Sequence, residues 1–287
     1  MSHKYIVENE QDLLWGMSIT TVGMEHILPG EDYPTSGHKD GYSFNPEKGR
    51  VLHEYQLLYF PEGRGAFSSA HGGRHSVQPG WMALLFPGEW HTYRPEPAVG
   101  WKQYWIGFKG SIAEGIVKNG FLSVEKPIFH LGYNEEIVRL YARAMEVTQR
   151  EEACFQQVLA GIVTYLLGLT YSIAKNRQFN KNQPLVDRIN QARLRMYEEM
   201  ETPVTVQEIV SDLNMSYSSF RKLFKEYTGV SPAHYFQDIR LQRAKDLLTT
   251  TSLPIKDIAY RLNFETPEYF SAQFKRKIGK KPTEFRE

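Results

Sequence analysis

Three basic side chains, Arg221, Lys222 and Lys225, fall within a few residues of one another in the stretch SFRKLFKEYTGVSP, Ser219 to Pro232. If this stretch is helical, Phe220, Leu223, Phe224 and Tyr227 take positions i, i+3, i+4 and i+7 and face a core. Tyr217, Ser218, Arg221, Lys222 and Lys225 then face the other way. Exposed guanidinium and ammonium groups on one helix face can neutralise phosphates, and Arg or Lys can pair with guanine O6 and N7. The histidines raise a different chemistry. His71 and His75 stand four apart in the Gly-rich SSAHGGRH, and His91 follows in PGEWHTY. A metal site needs ligands converging at fixed distances. Two histidines four apart in a turn do not supply that, so no metal and no cofactor is expected. The single cysteine, Cys154, excludes an internal disulfide and a cysteine-rich zinc site.

The elements that must carry the basic face occur twice. YFSAQFKRKIGKKP, Tyr269 to Pro282, repeats the Phe-Lys, the Gly four residues later and the Pro three after that. In the first copy, Thr205-Val206-Gln207-Glu208 has the form of a capping box opening a helix through Ile209 and Leu213. Asn214 and Met215 make a tight turn, Ser216 caps the second helix and Gly229 closes it. In the second copy, Pro254 leads a helix with Ile255, Ile258 and Leu262 inward. Asn263 and Phe264 fill the turn, and a helix from about Pro267 to Ile278 buries Phe270, Phe274 and Ile278 before Gly279. A long helix, AHYFQDIRLQRAKDLLTTT, joins the copies through Ile239, Leu241, Ala244, Leu247 and Leu248. Helix, tight turn and a basic second helix is the layout of a helix-turn-helix reader. Two readers held about one DNA turn apart (~34 Å) can enter successive major grooves from one side.

The remainder reads differently. EYQLLYF, WMALLF and WKQYWIGF are short apolar runs separated by the turn clusters PEGRG, HGGRH and PGEWH, the pattern of a β-sandwich or barrel. Residues 134–176 read as two helices, through Ile137, Leu140, Tyr141, Ala144 and Met145 and then Val158, Ile162, Tyr165 and Leu166. GIVTYLLGLTY is apolar around much of its circumference, so it must be buried on the β domain or form a dimer seam. The polar 177–184 reads as a linker between a front domain, 1–133 with its helical segment, and a tail, 185–287. From Leu185 onward there are 17 Lys/Arg against 14 Asp/Glu, leaving 17 against 19 in the front. A weakly basic tail permits DNA binding without demanding it. The N-terminus lacks a signal-peptide layout, and no apolar run approaches the ~20 residues of a membrane span. A cytoplasmic protein with no membrane association is expected.

The tail resembles the AraC/XylS family of transcriptional regulators. The resemblance covers roughly Leu185 to Arg286 and rests on RLQRAKDLL, PIKDIAYRLNFETPEYFSAQFKRKIGKKPTEFR and SFRKLFKEYTGVSPAHY. It implies base contacts at Ser218, Arg221 and Lys222 in the first unit, and at Pro267, Glu268 and Ala272 in the second. Lys225, Lys275, Arg276 and Lys280 look like phosphate contacts, which position rather than specify. Asn263 stands where the family usually has Gly, and Asn also tolerates a left-handed backbone. Ala272 stands where Arg is common, so the first unit is expected to supply most base readout.

The front resembles the sugar-sensing, cupin-like barrel found at the N-terminus of many such regulators. PGEWHTY and GWKQYWIGFKG carry the likeness, and Gly80, Gly88 and His91 resemble the second half-motif of cupins. The resemblance places ligand positions on Tyr93, Gln103 and Trp105, with Arg50 and His91 as further candidates. A Trp face can stack on a sugar while amides and hydroxyls take its polar edge. The expected protein is multidomain: an all-β cupin-like barrel with a helical dimerisation segment, then an all-α domain with two helix-turn-helix motifs. Its expected partners are promoter DNA, a monosaccharide effector, a second copy of itself and the transcription machinery, and the expected role is activation of carbohydrate-utilisation genes. The competing class is a metal-dependent cupin isomerase or oxygenase fused to a DNA-binding tail.

Overall fold

The structure is a computed structural model that describes residues 2–35, 45–180, 183–213 and 215–286. The chain divides into two units, Met1–Gln178 and Phe179–Glu287. The first unit begins with β1 (Ser2–Tyr5), α1 (Glu10–Leu14), β2 (Ser18–Ile27), β3 (Arg50–Val51) and β4 (Tyr55–Gly63). It continues with β5 (Gly65–Ser69), β6 (Gly73–Val77), β7 (Trp81–Leu85), β8 (Trp90–Pro95) and β9 (Trp101–Lys109). Then come α2 (Ser111–Lys118), β10 (Ile128–His130), α3 (Glu135–Arg150) and α4 (Phe155–Asn180).

Two antiparallel sheets form, ordered β1-β2-β9-β4-β7-β10 and β3-β8-β5-β6. The larger sheet is covered on both faces, which explains why β4 and β7 read as continuous apolar runs. Tyr55, Leu57 and Tyr59 of β4 join a core with Tyr141 of α3 and Leu159, Val163 and Leu166 of α4. Leu58 and Phe60, of opposite parity, join Phe67, Tyr93, Trp101 and Trp105 in a second core between the sheets. Polar groups fasten the helical layer. Gln156 of α4 accepts from Ile19 N–H at 2.9 Å and donates to Ile19 C=O at 2.9 Å, beside the irregularity in the β2–β9 register between Ile19 and Thr21. Tyr141 donates to the Leu57 carbonyl at 2.8 Å.

The expectation that no stretch suits a membrane span is corrected by α4. Its Phe155–Arg177 segment reaches a mean hydropathy of 1.5, long and apolar enough to cross a membrane by length and composition. Interspersed Gln, Gly and Thr break the run to the eye, and the helix instead buries Leu159, Ala160, Val163, Leu166 and Leu167 in the first core. Helix also occupies 177–180 and 183–184 of the segment expected as a polar linker, and 181–182 lie outside the described residues.

The second unit contains α5 (Gln183–Glu198), α6 (Val206–Ser211), α7 (Tyr217–Thr228), α8 (Pro232–Thr250), α9 (Ile255–Arg261), α10 (Pro267–Ile278) and α11 (Pro282–Arg286). It has two cores. Ile189, Ile209, Leu213, Phe220, Phe224 and Phe236 build the first, and Leu241, Leu247, Leu248, Ile258, Leu262, Phe270 and Phe274 the second. The helix α8 therefore serves both. The capping box at Thr205 and Glu208 is present, as are side-chain caps from Ser216 and Thr266, each of the kind that stabilises a helix by ~1 kcal/mol. Gly229 and Gly279 close α7 and α10 at φ 84° and 87°. Asn263 takes φ 57°, the left-handed backbone its turn requires. Tyr217 departs from expectation, packing half-buried against the first core instead of facing away. Asn214, assigned to the first turn, lies outside the described residues.

Candidate functional site

Two sets of side chains stand out, one on each unit. On α7, Ser218, Arg221, Lys222 and Lys225 are all exposed. On α10, Glu268, Ala272, Lys275 and Arg276 are exposed, as is Lys280 just beyond it. Pro267 is half-buried at the first helical position, where a missing N–H leaves nothing unsatisfied. The cations of the second unit fall into two groups. Arg195, Arg240, Arg243, Arg261 and Lys277 are engaged in internal hydrogen bonds and ion pairs. Among the described residues, Arg221, Lys222, Lys225, Lys275, Arg276 and Lys280 have no such side-chain partner. They stand on or just after the second helix of each pair; Arg188 of α5, Lys256 of α9 and Lys281 are likewise without a side-chain partner among the described residues.

In the first unit, polar and apolar side chains are interleaved on both sheets where they face the interior. Arg50 of β3 donates through Nη2 to Tyr93 Oη at 2.8 Å and through Nε to His91 Nε2 at 3.4 Å. His91 Nδ1 bonds the Glu89 carbonyl at 3.1 Å, so the ring carries its proton on Nδ1 and is neutral. Burial first, and the Arg50 charge second, lower its pKa to about 4. Burial raises the Tyr93 phenol above its ordinary range, against the pull of Arg50. The His91 and Tyr93 rings lie parallel, 6.2 Å apart. Across the interior, Gln103 of β9 donates to Glu25 of β2 at 2.8 Å, and Thr35 also donates to Glu25. Trp105 lies flat over Gly23, where an added Cβ would meet its ring at 2.2 Å. Its indole N–H donates to Thr21 at 3.3 Å. Two atoms here are buried without a partner among the described residues: the Trp101 indole N–H and Gln103 Oε1.

Tyr93, Gln103, Trp105, His91 and Arg50 are thus all on strands bounding one interior, with Arg50, His91 and Tyr93 in direct contact. Gln103 and Trp105 sit on the far strand beside Glu25, a carboxylate 2% exposed that sequence reasoning missed. Its signal was the alternation in SITTVGMEHI, which puts Thr21, Gly23, Glu25 and Ile27 on one face of β2. Trp101 was missed too, and so was Tyr33, whose ring meets Trp101 edge-on at 5.9 Å. Of the other histidines, His71 bonds Glu89 at 2.8 Å and His75 the Gly72 carbonyl at 2.8 Å. Among the described residues, no three His, Cys, Asp or Glu side chains form a group that could hold a metal ion.

Residues 31–167 match the family model described as an AraC-like ligand binding domain, and residues 209–287 the one described as a helix-turn-helix domain. The chain belongs to the AraC/XylS family. This AraC-family protein is 26% identical over 267 residues to the raffinose operon transcriptional regulatory protein RafR of Pediococcus pentosaceus, covering 92% of this chain and 91% of that one. It is 26% identical over 253 residues to the lactose operon transcription activator of Staphylococcus xylosus, covering 86% of each. Over 69 residues, 24% of each chain, it is 45% identical to the transcriptional activator RhaR of Yersinia pseudotuberculosis. As an AraC-family member it is a DNA-binding transcriptional regulator, with a β-rich ligand-binding unit ahead of a helical DNA-binding one.

Proposed function

We propose that this regulator activates carbohydrate-utilisation genes in response to a neutral monosaccharide or related polyol held inside the barrel. The observation that carries the reading is the pair on β9 that has no partner among the described residues. Trp101 Nε1 is a buried donor and Gln103 Oε1 a buried acceptor, two strand positions apart on one face. Buried polar atoms in folded proteins are nearly always hydrogen-bonded, and an unpaired one calls for a ligand, an ion or a water. A hydroxylated ring offers both donors and acceptors, and the aromatic faces nearby suit its apolar side. The names of the raffinose and lactose operon regulators favour a sugar in the broader sense, since both name oligosaccharides. Catalysis is not part of the reading, because the lone pair on His91 that a metal would need is turned to a guanidinium, and a dication there would face a positive charge.

The free cations of α7 and α10 take the DNA, with Ser218, Arg221 and Lys222 reading bases in the first unit. In the second, Pro267, Glu268 and Ala272 offer little to pair with guanine, and Lys225, Lys275, Arg276 and Lys280 position the backbone. A homodimer forms through α4, where Val158, Gly161, Tyr165, Gly168 and Ser172 make an exposed stripe at heptad-like spacing. The protein works in the cytoplasm with the transcription machinery. The working domain limits are 1–133, 134–176, 177–184 and 185–287. Calorimetry of the full chain against D-galactose, D-glucose, L-rhamnose, lactose and raffinose tests the effector. A sugar is expected to bind wild type and to bind Gln103→Leu at least about tenfold more weakly, since a site built to hydrogen-bond a hydroxyl discriminates strongly. Equal binding by both proteins removes the pocket, and binding of another metabolite class alone removes the ligand assignment.

A further inference from the structure

The two cores of the second unit are joined covalently by α8, which gives Phe236 to the first and Leu241, Ala244, Leu247 and Leu248 to the second. A single helix fixes the distance between two bodies better than it fixes their rotation. Side-chain contacts on two sides of α8 add that constraint. On one side, Glu201 lies in the segment between α5 and α6, which belongs to the first core. Its Oε1 meets Arg243 Nε of α8 at 2.8 Å, and its Oε2 meets Arg261 Nε of α9 at 2.7 Å. Arg261 belongs to the second pair of helices, so one carboxylate reaches across the joint. Arg240 holds that segment in place, donating to the carbonyls of Met200 and Thr202 at 3.1 Å each while its guanidinium sits 4.2 Å from the Phe236 ring centre. On the other side, α10 is tied to the first half of α8 at both of its ends. Tyr269 accepts from Gln237 at 3.4 Å, and Lys277 pairs with Asp238 at 2.7 Å.

Ion pairs as exposed as these add little to folding stability. For buried polar and ionic groups the best-attested use is to fix register between elements, and Glu201, partly enclosed and held by two arginines from different helices, is placed to do the same here. We propose that Glu201 is a positioning residue that sets the rotation between α7 and α10, so that the protein demands a fixed number of base pairs between the two boxes it reads. The inference rests on the reading in which both helices enter DNA grooves. An inserted base pair carries the second box about 3.4 Å along the duplex and roughly 35° around it. A rigid pair of helices cannot follow that displacement, whereas a loosened pair can.

The experiment starts from duplexes selected by the full-length wild-type protein from a random pool, mapped by footprinting. Spacer variants one and two base pairs longer or shorter are then titrated by fluorescence anisotropy against wild type, Glu201→Gln and Lys277→Gln. Wild type is expected to lose roughly tenfold or more per inserted base pair, at least what one mismatched position costs. Glu201→Gln is expected to keep wild-type affinity for an isolated first box and to show a spacer penalty several-fold smaller. Lys277→Gln, an exposed change that leaves both cores untouched, is expected to shift the penalty in the same direction. A spacer penalty unchanged in both variants overturns the proposal, as does an equal loss on isolated and paired boxes, which assigns Glu201 a merely structural or phosphate-linked role. Wild-type footprints confined to one box sink the two-groove reading itself, and the proposal with it. An unchanged penalty on two-box DNA leaves that reading standing and removes only the role of Glu201.

Discussion

The barrel interior and the reading helices handle charge in opposite ways. Between the sheets, the charged side chains are engaged within the protein: Arg50 with Tyr93 and His91, Glu25 with Gln103 and Thr35. On α7 the cations stand in solvent with no side-chain partner among the described residues. A buried site must pair its charges before a ligand arrives, because an unpaired buried charge is too unfavourable to keep, and can leave only neutral donors and acceptors for the ligand. An exposed site can leave its charges to water and exchange water and counterions for phosphate later. The two regions should therefore respond to different perturbations, the interior to proton uptake and packing, the helices to salt and base sequence.

Protonating His91 should have the largest effect. Its pKa is about 4 in the folded chain and ~6.5 unfolded. The unfolded state then binds more protons below pH 6.5, so this contribution to stability is complete above that pH and is lost as pH falls toward 4. The loss should reach ~3 kcal/mol at pH 4 relative to pH 7. Urea unfolding across that range should show it in wild type and much less of it in His91→Gln, which keeps an acceptor for Arg50 but no titrating ring. A pH dependence identical in the two proteins would show that His91 is not held neutral by this site. Next comes packing. Gly23→Ala places a methyl against the Trp105 indole and should destabilise the first unit by ~1–3 kcal/mol. A thermal midpoint within error of wild type would mean the indole is free to move away.

On the reading helices the effects should fall on DNA affinity and should leave stability alone. Arg221→Ala should weaken binding to a selected duplex by ~1–3 kcal/mol and relax preference at one base pair, with little change on random DNA. Lys225→Ala should weaken both duplexes alike and reduce the slope of log K against log salt by about one. If the two substitutions affect specific and random DNA equally, the division into reading and positioning residues fails. The smallest expected change is a gain. Ala272→Arg should tighten binding by less than the loss at Arg221 if α10 already lies against a groove. No change in a stably folded variant would count against that docking.

How much of this was legible in the sequence follows the same division. On helices, the spacing of Phe220, Leu223, Phe224 and Tyr227 defines the opposite face directly, so the position of Arg221 and Lys222 could be read from period alone. Caps at Thr205, Ser216 and Gly229, and the left-handed Asn263, could be read for the same local reason. Tyr217 escaped because it lies on the boundary of the apolar stripe, where a large ring can turn inward. In the barrel, period 2 placed Gln103 and Trp105 on one face, but it could not place β2 opposite β9. Glu25 becomes a neighbour of Gln103 only through a register joining residues 78 apart in sequence. The length of α4 was hidden similarly, since a polar ending without apolar rhythm reads as a linker until the chain's backbone is seen to continue as helix.

The most direct test of the account is reciprocal binding. A sugar that enters the interior by way of Trp101 and Gln103 must favour one DNA-binding arrangement over the other if it is to act as a signal. Affinity of the full-length protein for its selected duplex should be measured with and without the sugar found by calorimetry, and affinity for that sugar with and without the duplex. The account predicts that the two affinities change by the same factor, roughly 5–150-fold for a coupling of ordinary size, and that Gln103→Leu abolishes both changes while keeping its affinity for DNA. A sugar that binds wild type and leaves DNA affinity untouched would contradict it.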